Sequence, residues 1–111
     1  MNSIATGAFT VTLKPQPISE LASASEIGRM SIDKQFSGDL IGTSKGEMLS
    51  AMSAVKGSAG YVAIERVSGT IGDKRGTFVL QHFGTMNRGA PTLTVSVVPD
   101  SGTDDLRWLD G

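Results

Sequence analysis

From Ala8 to Leu13 the chain reads Ala-Phe-Thr-Val-Thr-Leu, with apolar residues at every second position, the period of a strand that has one dry face. Phe9, Val11 and Leu13 are expected to point inward. Pro15 and Pro17 cannot donate to a sheet ladder, so they end this strand and open a loop with a short helical turn around Glu20 to Ala24. Met30, Ile32, Lys34 and Phe36 share one face of the next strand. Turn chemistry follows at Ser37-Gly38-Asp39, and Leu40, Gly42, Ser44, Gly46 and Met48 return on the same face, which predicts a hairpin. Gly57-Ser58-Ala59-Gly60 marks a connection to a further hairpin, Tyr61 to Ile71 and Gly76 to Met86. Thr92 to Val97 alternates most cleanly, with Leu93, Val95 and Val97 inward, and Pro99-Asp100-Ser101-Gly102-Thr103 closes it. Successive short strands with one apolar face each predict an all-β fold: an antiparallel meander that curls into a barrel and so removes its exposed edges.

The hairpin of Tyr61 to Met86 carries the candidate chemistry. With the loop placed at Gly72-Asp73-Lys74-Arg75, Ile71 faces Gly76, Gly69 faces Phe78, Val67 faces Leu80 and Glu65 faces His82. This register puts Val67, Ile71, Phe78 and Leu80 on one face, and Arg66, Ser68, Thr70, Thr77 and Gln81 on the other. A slip of one residue would mix the two sets, which a sheet with one buried face resists. Gly69 leaves room for the Phe78 ring to lie across the partner strand.

A carboxylate and an imidazole in an apolar interior shift each other's titration, so Glu65 and His82 are the candidate catalytic pair, able to move a proton or hold a polar head group. The plainer alternative is that they satisfy only each other's hydrogen bonds. Lys34 falls on the inward face of its strand; it either adds a cation to this interior or runs its stem to a rim. Tyr61 shares the Glu65 face and either presents a phenol to a ligand or packs with its hydroxyl at the barrel end. Together with Lys34 and Tyr61, the candidate ligand contacts are Val67, Phe78 and Leu80.

Composition narrows the rest. At 111 residues the chain is one domain, 1–111, and a net charge of -1 offers no electrostatic footprint for nucleic acid or an anionic membrane. No cysteine is present, which excludes disulfides, thiolate metal sites and a cysteine nucleophile. The first fifteen residues have neither the basic start nor the apolar run of a signal peptide, and no stretch approaches the roughly 20 apolar residues of a spanning helix, so the expected location is cytoplasmic. His82 and Glu65 supply two ligands where zinc takes about four, so no metal and no cofactor is expected. No serine stands in a G-x-S-x-G elbow, and the glycine-rich turns lack the lysine and helix of a phosphate loop.

The segments KQFSGDLIGTS, GYVAIERVSGTIGDKRGTFVLQHFGT and TLTVSVVPDSGTDDL resemble the bacterial family known as domain of unknown function 3224. The resemblance runs from Met30 onward and rests on Gly38, Asp39, Gly42, Glu65, Gly69, Gly76, Phe78, Gln81, His82 and Gly84. It implies a compact antiparallel barrel similar to plant allene oxide cyclase, lipocalin-like in appearance, with no activity attached. Such family members usually continue through another pair of strands, whereas this chain stops after Arg107-Trp108-Leu109-Asp110-Gly111. Incomplete closure at the C-terminus is therefore expected. A partner chain completes the barrel, an edge is left open, or the sequence is truncated, with Trp108 as an interface or plug residue.

Three functions fit these residues. The first is a barrel that binds a small apolar or amphipathic molecule against Val67, Phe78 and Leu80, with Glu65 and His82 orienting its polar end. The second is a cofactor-independent isomerase or cyclase resembling allene oxide cyclase. The third is a self-associating domain that forms a homo-oligomer through open edges and Trp108.

Overall fold

The structure, a computed structural model, describes residues 7–109. The first six residues of the segment read for a signal peptide, and the final Asp110 and Gly111, lie outside the described residues. The elements run β1 (Gly7–Pro15), α1 (Glu20–Ala24), β2 (Ile27–Gly38), β3 (Leu40–Met52), β4 (Ala59–Ile71), β5 (Lys74–Asn87), β6 (Ala90–Val97) and a 3-10 turn at Asp104–Leu106. All six strands form one antiparallel sheet in sequence order, β1-β2-β3-β4-β5-β6. This is the expected all-β meander, and the sheet is curled but not closed: among the described residues β1 and β6 do not pair with each other.

The strands lie where alternation put them, and α1 occupies the expected turn, with the Ser19 hydroxyl accepting from the Ala22 N–H at 3.2 Å. One register differs. Ile71 pairs with Lys74, Val67 with Phe78 and Glu65 with Leu80, so the β4–β5 loop is the two residues Gly72-Asp73 and not four. Gly72 has φ +63°, as a two-residue hairpin with glycine first requires. A slip of two residues leaves every side chain on its own face, so Glu65 and His82 remain on the same side, as diagonal and not direct neighbours.

The curl has a local cause at the Gly42–Gly69 pair, which faces across β3 and β4. A Cβ on Gly42 would lie 2.2 Å from the Ser68 carbonyl oxygen, and one on Gly69 would lie 2.3 Å from that of Ile41. Glycine at these positions lets the two backbones approach this closely. Gly69 thus makes room for β3 and not for the Phe78 ring.

Inside the curl, one end is packed. Val67, Phe78 and Leu106 form a buried core, joined by Phe36, Leu40, Ile71, Leu80, Val97 and Leu109. Beyond β6 the chain stays beside the first half of β5, where Val98 N donates to Val79 O at 2.9 Å and Thr103 N to Thr77 O at 2.8 Å. The 3-10 turn then drives Leu106 into the end of the curl. The plug is Leu106, fully buried, while Trp108 is 58% exposed. At the two edges the outcome differs from the inward burial expected: Phe9, Val11 and Leu13 on β1, and Leu93 and Val95 on β6, face the concave side but are roughly half exposed. With no strand bridging β1 and β6, nothing among the described residues covers them.

Leu106→Ala should remove a fully buried side chain and lower stability by about 2–5 kcal/mol. Trp108→Ala should shift it by no more than about 0.5 kcal/mol. Urea unfolding monitored by circular dichroism reads both, and equal effects would contradict the assignment of Leu106 as the plug.

Candidate functional site

Strand pairing sets the concave side chains in successive rows across the sheet. Lys34, Ser44, Val67 and Phe78 form one row, Ile32, Gly46, Glu65 and Leu80 the next, then Met30, Met48, Ala63 and His82, and finally Gly28, Ser50, Tyr61 and Gly84. The polar residues step diagonally through these rows, Lys34 and Ser44, then Glu65, His82 and Tyr61. The line starts at the packed end and runs toward the open one.

Glu65 is the centre, only 1% exposed. Its Oε1 accepts from the Ser44 hydroxyl at 2.6 Å, and its Oε2 accepts from Lys34 Nζ at 2.9 Å and from His82 Nε2 at 2.6 Å. An ionised carboxylate has no proton to give, so the short contact makes Nε2 of His82 a donor. The other ring nitrogen, Nδ1, lies 2.9 Å from the Tyr61 hydroxyl. When the ring is neutral, Nδ1 carries no hydrogen and Tyr61 donates to it. The Tyr61 ring meets the imidazole edge-on, 5.5 Å between centroids. It lies over Gly84, where a Cβ would approach Tyr61 Cε1 to 2.8 Å. Lys34 Nζ sits 4.9 Å from the centroid of the Phe9 ring, a cation–π contact from β1.

Burial pushes the Glu65 carboxyl toward its neutral form, but the hydrogen bonds from Ser44, Lys34 and His82 and the Lys34 charge outweigh it and hold the group below the ordinary carboxylate range. The Tyr61 hydroxyl is raised above its ordinary value, by burial first and then by the charge on Glu65. At neutral pH the line therefore holds a carboxylate at its centre and an intact phenol at its outer end. Among the described residues every buried side-chain nitrogen and oxygen has a partner, and no group of three metal-binding side chains occurs.

Of the candidate site residues, Lys34, Tyr61, Glu65 and His82 are brought together, with Lys34 turned into the interior and not to a rim. Val67 and Phe78 sit with Leu106 in the packed end, Leu80 beside them, and form the floor beneath the network. Ser44 escaped the reading because a serine in a Thr- and Ser-rich strand carries no sequence signal. Only the β2–β3–β4 register shows that it lies between Lys34 and Val67.

The opposite face carries its own apolar patch. Leu49, Val62, Ile64 and Phe83 are each about half exposed and line part of a groove of about 510 Å³, which also touches Gln81 and the Arg29–Glu47 ion pair. A second groove of about 470 Å³ continues past Leu49, Val62 and Phe83 to Ile27 and Tyr61. Arg29 grips Glu47 through two nitrogens, at 2.7 and 2.5 Å, and also donates to the Pro17 carbonyl at 2.8 Å, which pins the α1 loop to β2 and β3.

The chain is thus an incompletely closed antiparallel barrel built around a buried carboxylate–imidazole pair. Residues 5–111 match the family described as "Protein of unknown function (DUF3224)", and the chain belongs to that family. It is similar to a crystal structure of a protein of unknown function from the same family, from Shewanella oneidensis MR-1, with 51% sequence identity and a TM-score of 0.82 over 90% of this chain and 75% of that one. No curated protein matches the chain.

Because the folded-state pKa of Glu65 is depressed, its contribution to stability is complete above the unfolded carboxyl value of about 4.3 and is lost as pH falls through the lower folded value. The stability advantage of the wild type over Glu65→Gln should therefore be constant from pH 7 to about pH 5 and shrink below it. Urea midpoints measured across that range that stay parallel down to pH 3 would rule out a depressed carboxyl.

Proposed function

We propose that this protein binds a small amphipathic molecule in the open end of its curled sheet. The tail lies against Leu13, Met30, Met48, Leu93 and Val95, and the polar end meets His82 and Tyr61. The observation that carries this reading is the contrast between the two ends. Val67, Phe78 and Leu106 fill the packed end, while Leu13 of β1 and Leu93 and Val95 of β6, in the rows of Glu65, Tyr61 and His82, are about half exposed around a charged line whose buried atoms are already satisfied. Exposed apolar side chains that converge on a few fixed polar groups are the usual make-up of a small-molecule site. Val67, Phe78 and Leu80 act as its floor.

A second reading draws on the order of the polar groups. A carboxylate behind an imidazole behind a hydroxyl is the arrangement of an acid–base relay, with Glu65 orienting His82 and His82 exchanging a proton with Tyr61. Such a relay suits a cofactor-independent isomerase acting on a carbonyl compound, in which Tyr61 would donate to the carbonyl oxygen.

Decanol, a neutral amphipath, tests the binding reading. Added to isotope-labelled protein, it should shift the methyl resonances of Leu13, Met30, Met48, Leu93 and Val95. Val95→Asp, at a half-exposed position that tolerates a charge, should weaken binding at least tenfold without unfolding the sheet. Shifts confined to Leu49, Val62, Ile64 and Phe83 would move the site to the outer face, and no shifts at all would end the proposal.

A further inference from the structure

The Tyr61–His82–Glu65 line has a property that does not depend on which molecule occupies the open end: a single proton can reverse it. With the ring neutral, Nε2–H is committed to Glu65 and Nδ1 accepts from Tyr61, so the phenolic hydrogen points into the protein. Adding a proton at Nδ1 makes both ring nitrogens donors. Tyr61 then becomes the acceptor at the same 2.9 Å separation, and its own hydrogen is free to turn toward the open end. No heavy atom has to move.

We infer that the site takes an anionic head group, a carboxylate, together with one proton, which goes to Nδ1 of His82 and turns the Tyr61 hydroxyl outward as the donor to that head group. This deepens the amphipath reading and rests on it. The charges decide the sign. Lys34 and Glu65 cancel across 2.9 Å, so the resting line is neutral when the ring is neutral. Protonation brings the line from neutral to a net charge of +1, and an anionic head group at the open end would neutralise it.

The groups facing His82 allow no other compensation. From β4 they are Glu65, already shared with Lys34 of β2, and Tyr61. From β3 they are Ser44 and Met48, and from β6 Leu93 and Val95. Among the described residues Glu65 is the one acid at a concave-facing strand position. Binding and protonation are therefore linked, and by reciprocity each strengthens the other. A neutral head group of the same length gains nothing from the proton.

The chain has one histidine and one tyrosine, so both ends of the switch can be observed without assignment ambiguity. Decanoate and decanol, which share a tail, are titrated calorimetrically between pH 8 and 6 in buffers of different ionisation heat. Decanoate should bind with uptake approaching one proton and an affinity that rises by up to about tenfold per pH unit on acidification. Decanol should bind without uptake and with a flat pH profile. At pH 7 decanoate, but not decanol, should move the Hε1 resonance of the one imidazole to its protonated position. In His82→Gln the proton uptake should fall to zero, and Tyr61→Phe should lower decanoate affinity about tenfold relative to decanol.

Decanoate and decanol binding alike, with no proton uptake, would overturn this inference and leave the amphipath reading standing. Failure of both to bind would overturn both. Uptake that persists in His82→Gln would overturn the assignment of the proton to His82. If that variant does not fold, the wild-type comparison of the two probes, with the imidazole resonance, decides the matter.

Discussion

Burying one carboxylate at the centre of a curled sheet is the constraint around which the rest of this structure is organised. Desolvating an ionised group in a protein interior carries a penalty of several kcal/mol, which only close and well-directed partners offset. Glu65 finds its partners on three other strands: Lys34 on β2, Ser44 on β3 and His82 on β5. Each bond is satisfied in one relative register only. A slip of two residues between β3 and β4 would keep the apolar faces aligned, yet would carry Ser44 away from Oε1. The network thus selects among registers that hydrophobic alternation cannot tell apart.

The same geometry divides the interior into two regimes. At one end the Gly42–Gly69 pair draws β3 and β4 together, and the C-terminal segment inserts Leu106 against Val67 and Phe78. Val67 and Leu106 are fully buried there, although Phe9 at the β1 edge stays about half exposed. At the other end nothing among the described residues plays the part of Leu106, and β1 and β6 leave Leu13, Leu93 and Val95 about half exposed. Apolar surface left in water forgoes stabilisation of about 25 cal/mol per Å². The packed end supplies the anchor that lets the open end keep that surface uncovered.

How far the sequence reveals this depends on the kind of information each feature carries. Strand positions and faces are legible because a period of two survives any even shift. That is why Glu65 and His82 fall on one side although the predicted β4–β5 loop is two residues too long. The offset itself is set by the Gly72-Asp73 turn, which competes on equal terms with Gly72-Asp73-Lys74-Arg75 when only polarity is considered. The plug is illegible for a different reason. Leu106 and Trp108 are both apolar residues near the end of the chain, and only the pairing of Thr103 with Thr77 decides which one enters the core. Ser44 shows the same limit: long-range register, and not residue type, gives it its partner.

Whether the polar line is only structural can be argued from where it goes. Lys34 and Ser44 place a cation on one oxygen of Glu65 and a hydroxyl on the other, and His82 adds a third hydrogen bond that helps to hold the carboxyl ionised. The line continues through His82 to Tyr61, two rows beyond Glu65 and away from the packed end. His82 thus serves the carboxylate, since removing one partner of a buried charge is destabilising, whereas within the line Tyr61 touches only the imidazole and makes no contact with Glu65 that its stability requires. Gly84, whose Cβ would collide with the Tyr61 ring, keeps the phenol in place at the open end. A line that leads outward, ends in a hydroxyl and changes direction with one proton is organised toward whatever enters from that side.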